Sequence, residues 1–312
     1  MSWVALAGGV GAARFLRGLV AVVRPEDVVA VVNTGDDREF YGVHVSPDLD
    51  IVTYTLAGQV DLQKGYGLEG DSFALVDALA RFGHPTWFRL GDRDFATCLH
   101  RTLRLREGAG LAAVTDEIRR ALGVASRLLP MSEDPCPTFV GLRDGRRLHF
   151  EEYLARDGAP DEVTEVDLGA AARARPGPGV LEAIAGAEGV LVCPSNPVVS
   201  IGPILAIPGV REALRRSAAP VVAVSPIVGG APVKGPADRL LRGIGAEVSA
   251  RGVAALYRDV ARGFVLDERD LEDEADVAAL GLVPRVVDTL MTDASRAARL
   301  AEATLELARR LR

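Results

Sequence analysis

A chain of 312 residues, 48% hydrophobic and only 5% aromatic, carries enough apolar material for one large α/β domain or for a main domain with an insertion. Its formal charge of -7 argues against nonspecific nucleic-acid binding, which needs broad basic faces, and leaves room for a local basic pocket that holds an anionic small molecule. No apolar run has the length of a bilayer span, no signal peptide is recognisable, and three isolated cysteines without CxxC spacing fit reduced thiols, so a cytoplasmic protein is expected.

The chain opens with an apolar run, Trp3–Ala7, then Gly8-Gly9-Val10-Gly11, then a helical pattern at Phe15, Leu16, Leu19, Val20 and Val23. Strand, glycine turn and helix in that order gather unpaired N–H groups and the positive end of a helix dipole, which suits an anion. The GxGxxG count from Gly9 lands on Arg14, and no Lys-Ser/Thr pair ends the loop, so neither the dinucleotide fingerprint nor a P-loop is present. Alone, the turn equally suits a tight connection with no ligand. Val28–Val32 then reads as a strand buried on both faces of a parallel sheet, followed by Asn33-Thr34-Gly35-Asp36-Asp37 and by the Pro47-Asp48-Leu49-Asp50 turn. With Asn33, Asp36 and Asp37 on the neighbouring strand end, the ligand reading becomes the better one. Asp48 suits the start of a helix burying Ile51, Val52 and Leu56, which accounts for one acid out of four. Carboxylates beside phosphates call for a hard divalent cation between them, and magnesium takes one or two carboxylates plus phosphate oxygens and water. Asp50 is the favoured ligand, with Asp37 as its partner.

Helical patterns follow around residues 71–82, 92–106 and 110–122. Between the first two lies Trp87-Phe88-Arg89-Leu90-Gly91-Asp92-Arg93-Asp94, where Arg89 beside a glycine turn offers a bidentate grip on a carbonyl or phosphate. Asp92 reads either as a cap or as a ligand, and Asp94 as a solvated acid or a ligand. Thr138–Leu142 and Arg146–Phe150 flank Asp144-Gly145, a hairpin signal, and residues 156–179 turn polar. Residues 137–178 are therefore expected to form a small inserted α+β subdomain or lid on a core made of 1–136 and 179–312. Apolar runs return at Gly189–Cys193 and Pro220–Val224, with helical patterns around 209–217, 235–244 and 292–311. Alternating strand and helix implies a doubly wound, mostly parallel sheet whose loops converge at the strands' carboxyl ends. Ser195 and Asn196 offer a hydroxyl and an amide at one such end, and Lys234 is a solvated lysine or a phosphate ligand. His44, His84, His100 and His149 are scattered, without metal-ligand spacing, and receive no role; Cys98 and Cys136 read as small buried hydrophobes.

The stretches GGVGAARFLRGL (8–19), VNTGDD (32–37), SPDLDIVTYTLAG (46–58), WFRLGDRDFAT (87–97), LLPMSEDP (128–135), CPSNPVVSIGPILAIPG (193–209), SPIVGGAPVKGPADRL (225–240) and DTLMTD (288–293), in this order, resemble the 2-phospho-L-lactate transferase family of coenzyme F420 biosynthesis. They cover nearly the whole chain. Ala12, Tyr66 and Cys98 depart from the expected Gly, Trp and His.

The resemblance implies a Rossmann-like core, a homodimer, and a magnesium-dependent transfer of a phospho-lactyl or phospho-enolpyruvyl group from a guanosine diphosphate-linked donor. The acceptor is the deazaflavin Fo, and the products are GMP and F420-0 or its dehydro form. By matching position, Asp50 and Arg89 go with Fo; Gly8, Gly9, Gly11, Asn33, Ser195 and Asn196 go with the donor's phosphates or guanosine. Asp50 is the catalytic candidate, no residue stands out as a strong base, and Asp50→Asn is expected to cut transfer by orders of magnitude with the fold intact. Two other classes compete. One is a non-catalytic nucleotide-sugar-binding regulator related to gluconeogenesis factor, in which PDLD and LGDRD are not expected intact. The other is a dinucleotide-dependent oxidoreductase, against which the missing GxGxxG count speaks.

Overall fold

The apolar runs become strands. In the computed structural model, which describes residues 2–312, β1 (Ser2–Ala7), β2 (Val28–Val32), β3 (Arg127–Pro130), β4 (Ala187–Val192), β5 (Val221–Val224), β6 (Gly263–Asp267) and β7 (Val283–Val287) form a seven-stranded sheet. The order is β7-β6-β5-β4-β1-β2-β3, and every pairing is parallel. The chain grows outward from β1 through β2 and β3, then crosses back to add β4 on the other side of β1. Such a reversal opens a crevice at the carboxyl ends of β1 and β4, which is where doubly wound sheets bind ligands.

Helices cover both faces, so the strands are apolar throughout rather than alternating. On one face α1 (Gly9–Val22) and the C-terminal helix Ala294–Arg310 pack Phe15, Leu16, Leu19 and Leu300 against Ala5, Ala7, Ala30 and Val32. On the other, Val4, Leu6, Val29 and Val31 meet Ile201 and Ile204. Two further helices matter to the site: α2 (Pro47–Leu56) and α3 (Asp92–Arg106). The expected helices over 71–82, 110–122, 209–217 and 235–244 are found as Ala74–Ala80, Leu111–Ala121, Val210–Arg216 and Ala237–Gly243. Strands β3, β6 and β7 were outside the sequence reading. Trp87–Leu90 is an irregular segment; its rings pack with Phe40, which stacks on Phe88 at 3.7 Å.

Phe139–Leu142, Arg147–His149 and Val163–Asp167 form a separate three-stranded antiparallel sheet. It has no core of its own: Val140, Leu142, Leu148, Phe150 and Tyr153 belong to the same hydrophobic cluster as Val4 and Leu6. The small sheet is thus a wall of the main body. Among the described residues no helix is long and apolar enough to cross a membrane.

Candidate active site

A cavity of about 670 Å³ opens at the carboxyl ends of the strands, lined by the glycine turn after β1, Asp36 after β2, Pro194–Asn196 after β4, Ser225 after β5 and Thr289 after β7. The glycines are there for close approach. Gly9 has φ +69°, which a side chain rarely adopts, and a Cβ on Gly11 would lie 2.1 Å from the Pro194 carbonyl oxygen. The α1 N-terminus can therefore abut the turn after β4, closing the crevice from both sides.

Asp48 crosses this turn. It sits in the first turn of α2 without capping it; instead its Oδ1 accepts the Gly9 N–H at 2.7 Å and its Oδ2 accepts Asn33 Nδ2 at 2.9 Å. Asn33 also donates to the Val199 carbonyl at 3.3 Å and accepts from the Gly35 N–H at 2.8 Å. Its polar atoms are fully used beneath the cavity, which it does not line. The expectation that Asn33 faces a donor is corrected accordingly: it is a buried brace that ties three loops together.

Four carboxylates crowd the same floor. Asp36, Asp48 and Glu151 line the cavity, and Asp37 lies just behind them. Asp36 is held well above the ordinary carboxylate range, first by burial and then by the charges of Asp48, Glu151 and Asp37; its Oδ1 has no partner. Burial also pushes Asp48 up to about 6, against the bonds from Asn33 and Gly9, and Glu151 up to about 7, with Asp48 adding to it. Asp37, expected as a metal ligand, does not line the cavity: its Oδ2 accepts from Ser46 Oγ at 2.8 Å and meets His44 Nε2 at 3.2 Å, while its Oδ1, like that of Asp36, is buried without a partner. The loop's backbone aims Asp36, not Asp37, at the cavity.

Asp50 stands two residues beyond Asp48 on α2 and is buried. Both of its oxygens accept from the guanidinium of Arg101, which is buried on the inner face of α3 and also donates to the His44 carbonyl at 3.2 Å. This bidentate pair means that Asp50→Asn would leave a buried cation uncompensated, so that variant carries a stability cost beside any effect on transfer. Asp94, beside Asp50 and lining the cavity, accepts from Tyr54 Oη at 2.8 Å. Burial first, then the charge of Asp50, raises Asp94 to about 7. Donor atoms of Asp50, Asp94 and Cys98 lie within 4.8 Å of one another. That set suits magnesium poorly, because a thiol is a soft donor and Arg101 already claims the Asp50 oxygens. The Asp36–Asp48–Glu151 floor is all-oxygen and over-charged, and Asp36 keeps an unpartnered buried oxygen, but its three carboxylates do not converge as the first set does and Asp48 spends both oxygens on Gly9 and Asn33, so it fits a hard cation through one or two carboxylates.

Gly8, Gly9, Gly11, Asp50, Arg89, Ser195 and Asn196 all line the one cavity. Arg89 stacks over Phe73, 4.6 Å from its ring centre, and pairs with Asp77 at 2.7 Å. Ser195 Oγ is buried without a partner, while Asn196 Oδ1 accepts from the Val198 N–H at 3.0 Å. Asp92 does not cap its own helix; it accepts from Ser72 Oγ and from the Ala74 and Leu75 N–H groups at the start of the helix Ala74–Ala80. Glu151 and Arg101 were missed by sequence reasoning. Arg101 had a signal: it falls on the inward face of α3 with Asp94 and Cys98, where a solvated arginine has no place.

A family model described as 2-phospho-L-lactate transferase CofD matches residues 3–297. A phosphoenolpyruvate transferase of Kitasatospora aureofaciens is 46% identical over 100% of this chain and 99% of its own. A 2-phospho-L-lactate transferase of Methanosarcina mazei is 40% identical over 97% of this chain and 99% of its own. Among solved structures, a UPF0052-family protein of Bacillus halodurans has a TM-score of 0.67 over 97% of this chain and 98% of that one; at 18% identity this likeness shows the fold alone. A family match over almost the entire chain, with full-length relatives far above chance identity, leads to one conclusion: the chain belongs to the 2-phospho-L-lactate transferase CofD family.

Proposed function

We propose that the protein transfers a phospho-lactyl or phospho-enolpyruvyl group from a guanosine diphosphate-linked donor to the terminal ribityl hydroxyl of Fo, giving F420-0 or dehydro-F420-0 and GMP. The reading includes magnesium, a homodimer and a cytoplasmic setting. The observation that carries it is the pairing, in one cavity, of a glycine turn at a helix N-terminus with an over-charged carboxylate floor. A floor of this kind is costly unless it works with a cation and an anionic substrate.

In the reaction the Fo hydroxyl oxygen forms a bond to the phosphorus that bears the acid group. The bond from that phosphorus to the bridging oxygen breaks, and GMP leaves with the electron pair. The transition state of such a transfer is loose, so positioning and charge neutralisation supply most of the rate. Asp36, with Glu151 beside it, would hold magnesium through one or two carboxylates, and the ion when bound would offset charge on the diphosphate. Gly11 and Ser195 offer donors to the phosphate oxygens. Asp50, fixed by Arg101, orients the attacking hydroxyl, and Arg89 steadies the deazaflavin. Asp94, raised to about 7 and adjacent to Asp50, is a carboxylate placed to accept the hydroxyl proton near neutral pH.

The relatives carry both names, phosphoenolpyruvate transferase and 2-phospho-L-lactate transferase, so the two donors form two arms of one assay. The protein is incubated with Fo, magnesium and each donor, and the phosphodiester product is sought by mass. Product in either arm supports the reading and identifies the acid; no product in both arms, from protein that is folded, removes it.

A further inference from the structure

Three cations line the cavity: Arg14, Arg89 and Lys234. Arg89 has a carboxylate partner in Asp77. Arg14 and Lys234 pair with no carboxylate among the described residues. Lys234 Nζ donates only to the Lys64 carbonyl, at 3.1 Å. Lys234 is exposed overall, yet partial desolvation and then the charge of Arg14 hold its ammonium below the usual lysine range, and no acid offsets them.

The local chain explains why these two meet. Val10 and Arg14 are four residues apart on α1 and share a face. The 61–67 loop covers that face: Gly65, at φ +77°, leaves a Cβ position 2.8 Å from Lys234 Nζ and 3.6 Å from Val10 Cγ1. A side chain at Gly65 would displace the ammonium. Arg14 and Lys234 thus line the cavity together with the glycine turn, Lys234 lying against the loop that covers the Val10 face of α1.

We infer that Arg14 and Lys234 form an anion subsite that binds a negatively charged group of the donor beyond its nucleoside monophosphate. This rests on the proposed function, since it assumes a donor of that kind. Two groups have the right chemistry, the outer phosphate of the diphosphate and the carboxylate of the attached acid, and either one would satisfy a guanidinium and an ammonium together.

Calorimetric titration of the intact protein, with magnesium and without Fo, tests this. The titrants are GMP, GDP and lactyl-2-diphospho-5'-guanosine, against the unaltered protein, Arg14→Met, Lys234→Met and the charge-retaining Lys234→Arg. Losing charge-assisted bonds should weaken binding by about 10- to 100-fold. Weaker GDP binding with GMP unchanged supports the subsite and identifies the outer phosphate. Unchanged GDP binding with a weakened lactyl donor supports it and identifies the carboxylate. Lys234→Arg should bind like the unaltered protein in both cases. If the unaltered protein binds GDP and the donor but the Met variants bind both equally well, the subsite is refuted and the functional reading stands. If the unaltered protein binds none of the three, the functional reading falls and takes the subsite with it.

Discussion

Arg101 grips both carboxylate oxygens of Asp50 with neither side chain open to solvent, the guanidinium being 2% exposed and the carboxylate 7%. The pair welds α3 to α2 beneath the cavity. It fixes a carboxylate that lines the cavity, and it leaves each partner dependent on the other for charge balance.

Asp50→Asn should therefore cost about 3–5 kcal/mol of stability by leaving Arg101 uncompensated. Asp50→Leu combined with Arg101→Met should recover most of that loss while transfer stays abolished. Urea unfolding beside a product assay separates the two effects. A double variant that is as unstable as Asp50→Asn would mean the pair is not the source of the loss.

Asp36→Asn should act with opposite signs on stability and activity. It removes the acid that its neighbours repel most, so the metal-free protein gains stability. It also removes the unpartnered oxygen from the cation floor, so magnesium-dependent stabilisation shrinks and transfer falls by roughly a hundredfold or more. Undiminished magnesium stabilisation of the variant would take Asp36 out of the floor.

Asp48 at about 6 and Glu151 at about 7 lie above ordinary carboxylate values. The folded state keeps protons that the unfolded chain has already released. Their contribution is thus free of penalty below about pH 4, and stability declines as pH rises through 6 to 7. A cation offsets that decline, so the rise in Tm on adding magnesium should grow between about pH 5 and 8. Melting curves with and without magnesium across this range check it; a pH-independent increment contradicts it.

Gly11→Ala places a methyl group 2.1 Å from the Pro194 carbonyl oxygen, a backbone atom that cannot rotate away. The α1 N-terminus and the β4 turn must separate, at a cost of about 1–3 kcal/mol. Donor binding should weaken more than the stability loss alone explains, because the two sides of the crevice move apart. Calorimetry with GDP on the folded variant measures it, and unchanged affinity counts against the crevice geometry.

Arg89 pairs with Asp77 at the surface, with both side chains substantially exposed at 41% and 62%. Arg89→Ala should therefore change stability by less than about 1 kcal/mol. The KM for Fo should rise while the KM for the donor stays put. A shift confined to the donor would move Arg89 to the other half of the cavity.

Much of the fold was legible in the chain because period and composition carry it. Val28–Val32 is apolar at every position, which only a strand covered on both faces requires, and it is β2, paired to β1 and β3. β3 was missed since Arg127–Pro130 is short and carries a charge and a proline, which only its pairing to β2 overrides. Trp87 and Phe88 read as the end of an apolar run, yet their rings serve an aromatic cluster with Phe40 in an irregular segment.

The glycine turn, the acid-rich loops and their place at strand ends follow from the order of residues alone, because turn and strand preferences are carried by local pattern. Which side chains look into the cavity does not. Asp36 and Asp37 are neighbours of identical chemistry, and Asn33 is three residues away, but His44 and Ser46 draw Asp37 aside while Asp48 and Val199 use up Asn33. Arg101 becomes the partner of Asp50 only once α3 docks on α2. Side-chain direction and charge pairing depend on contacts between segments far apart in the chain, and those exist only in the folded molecule.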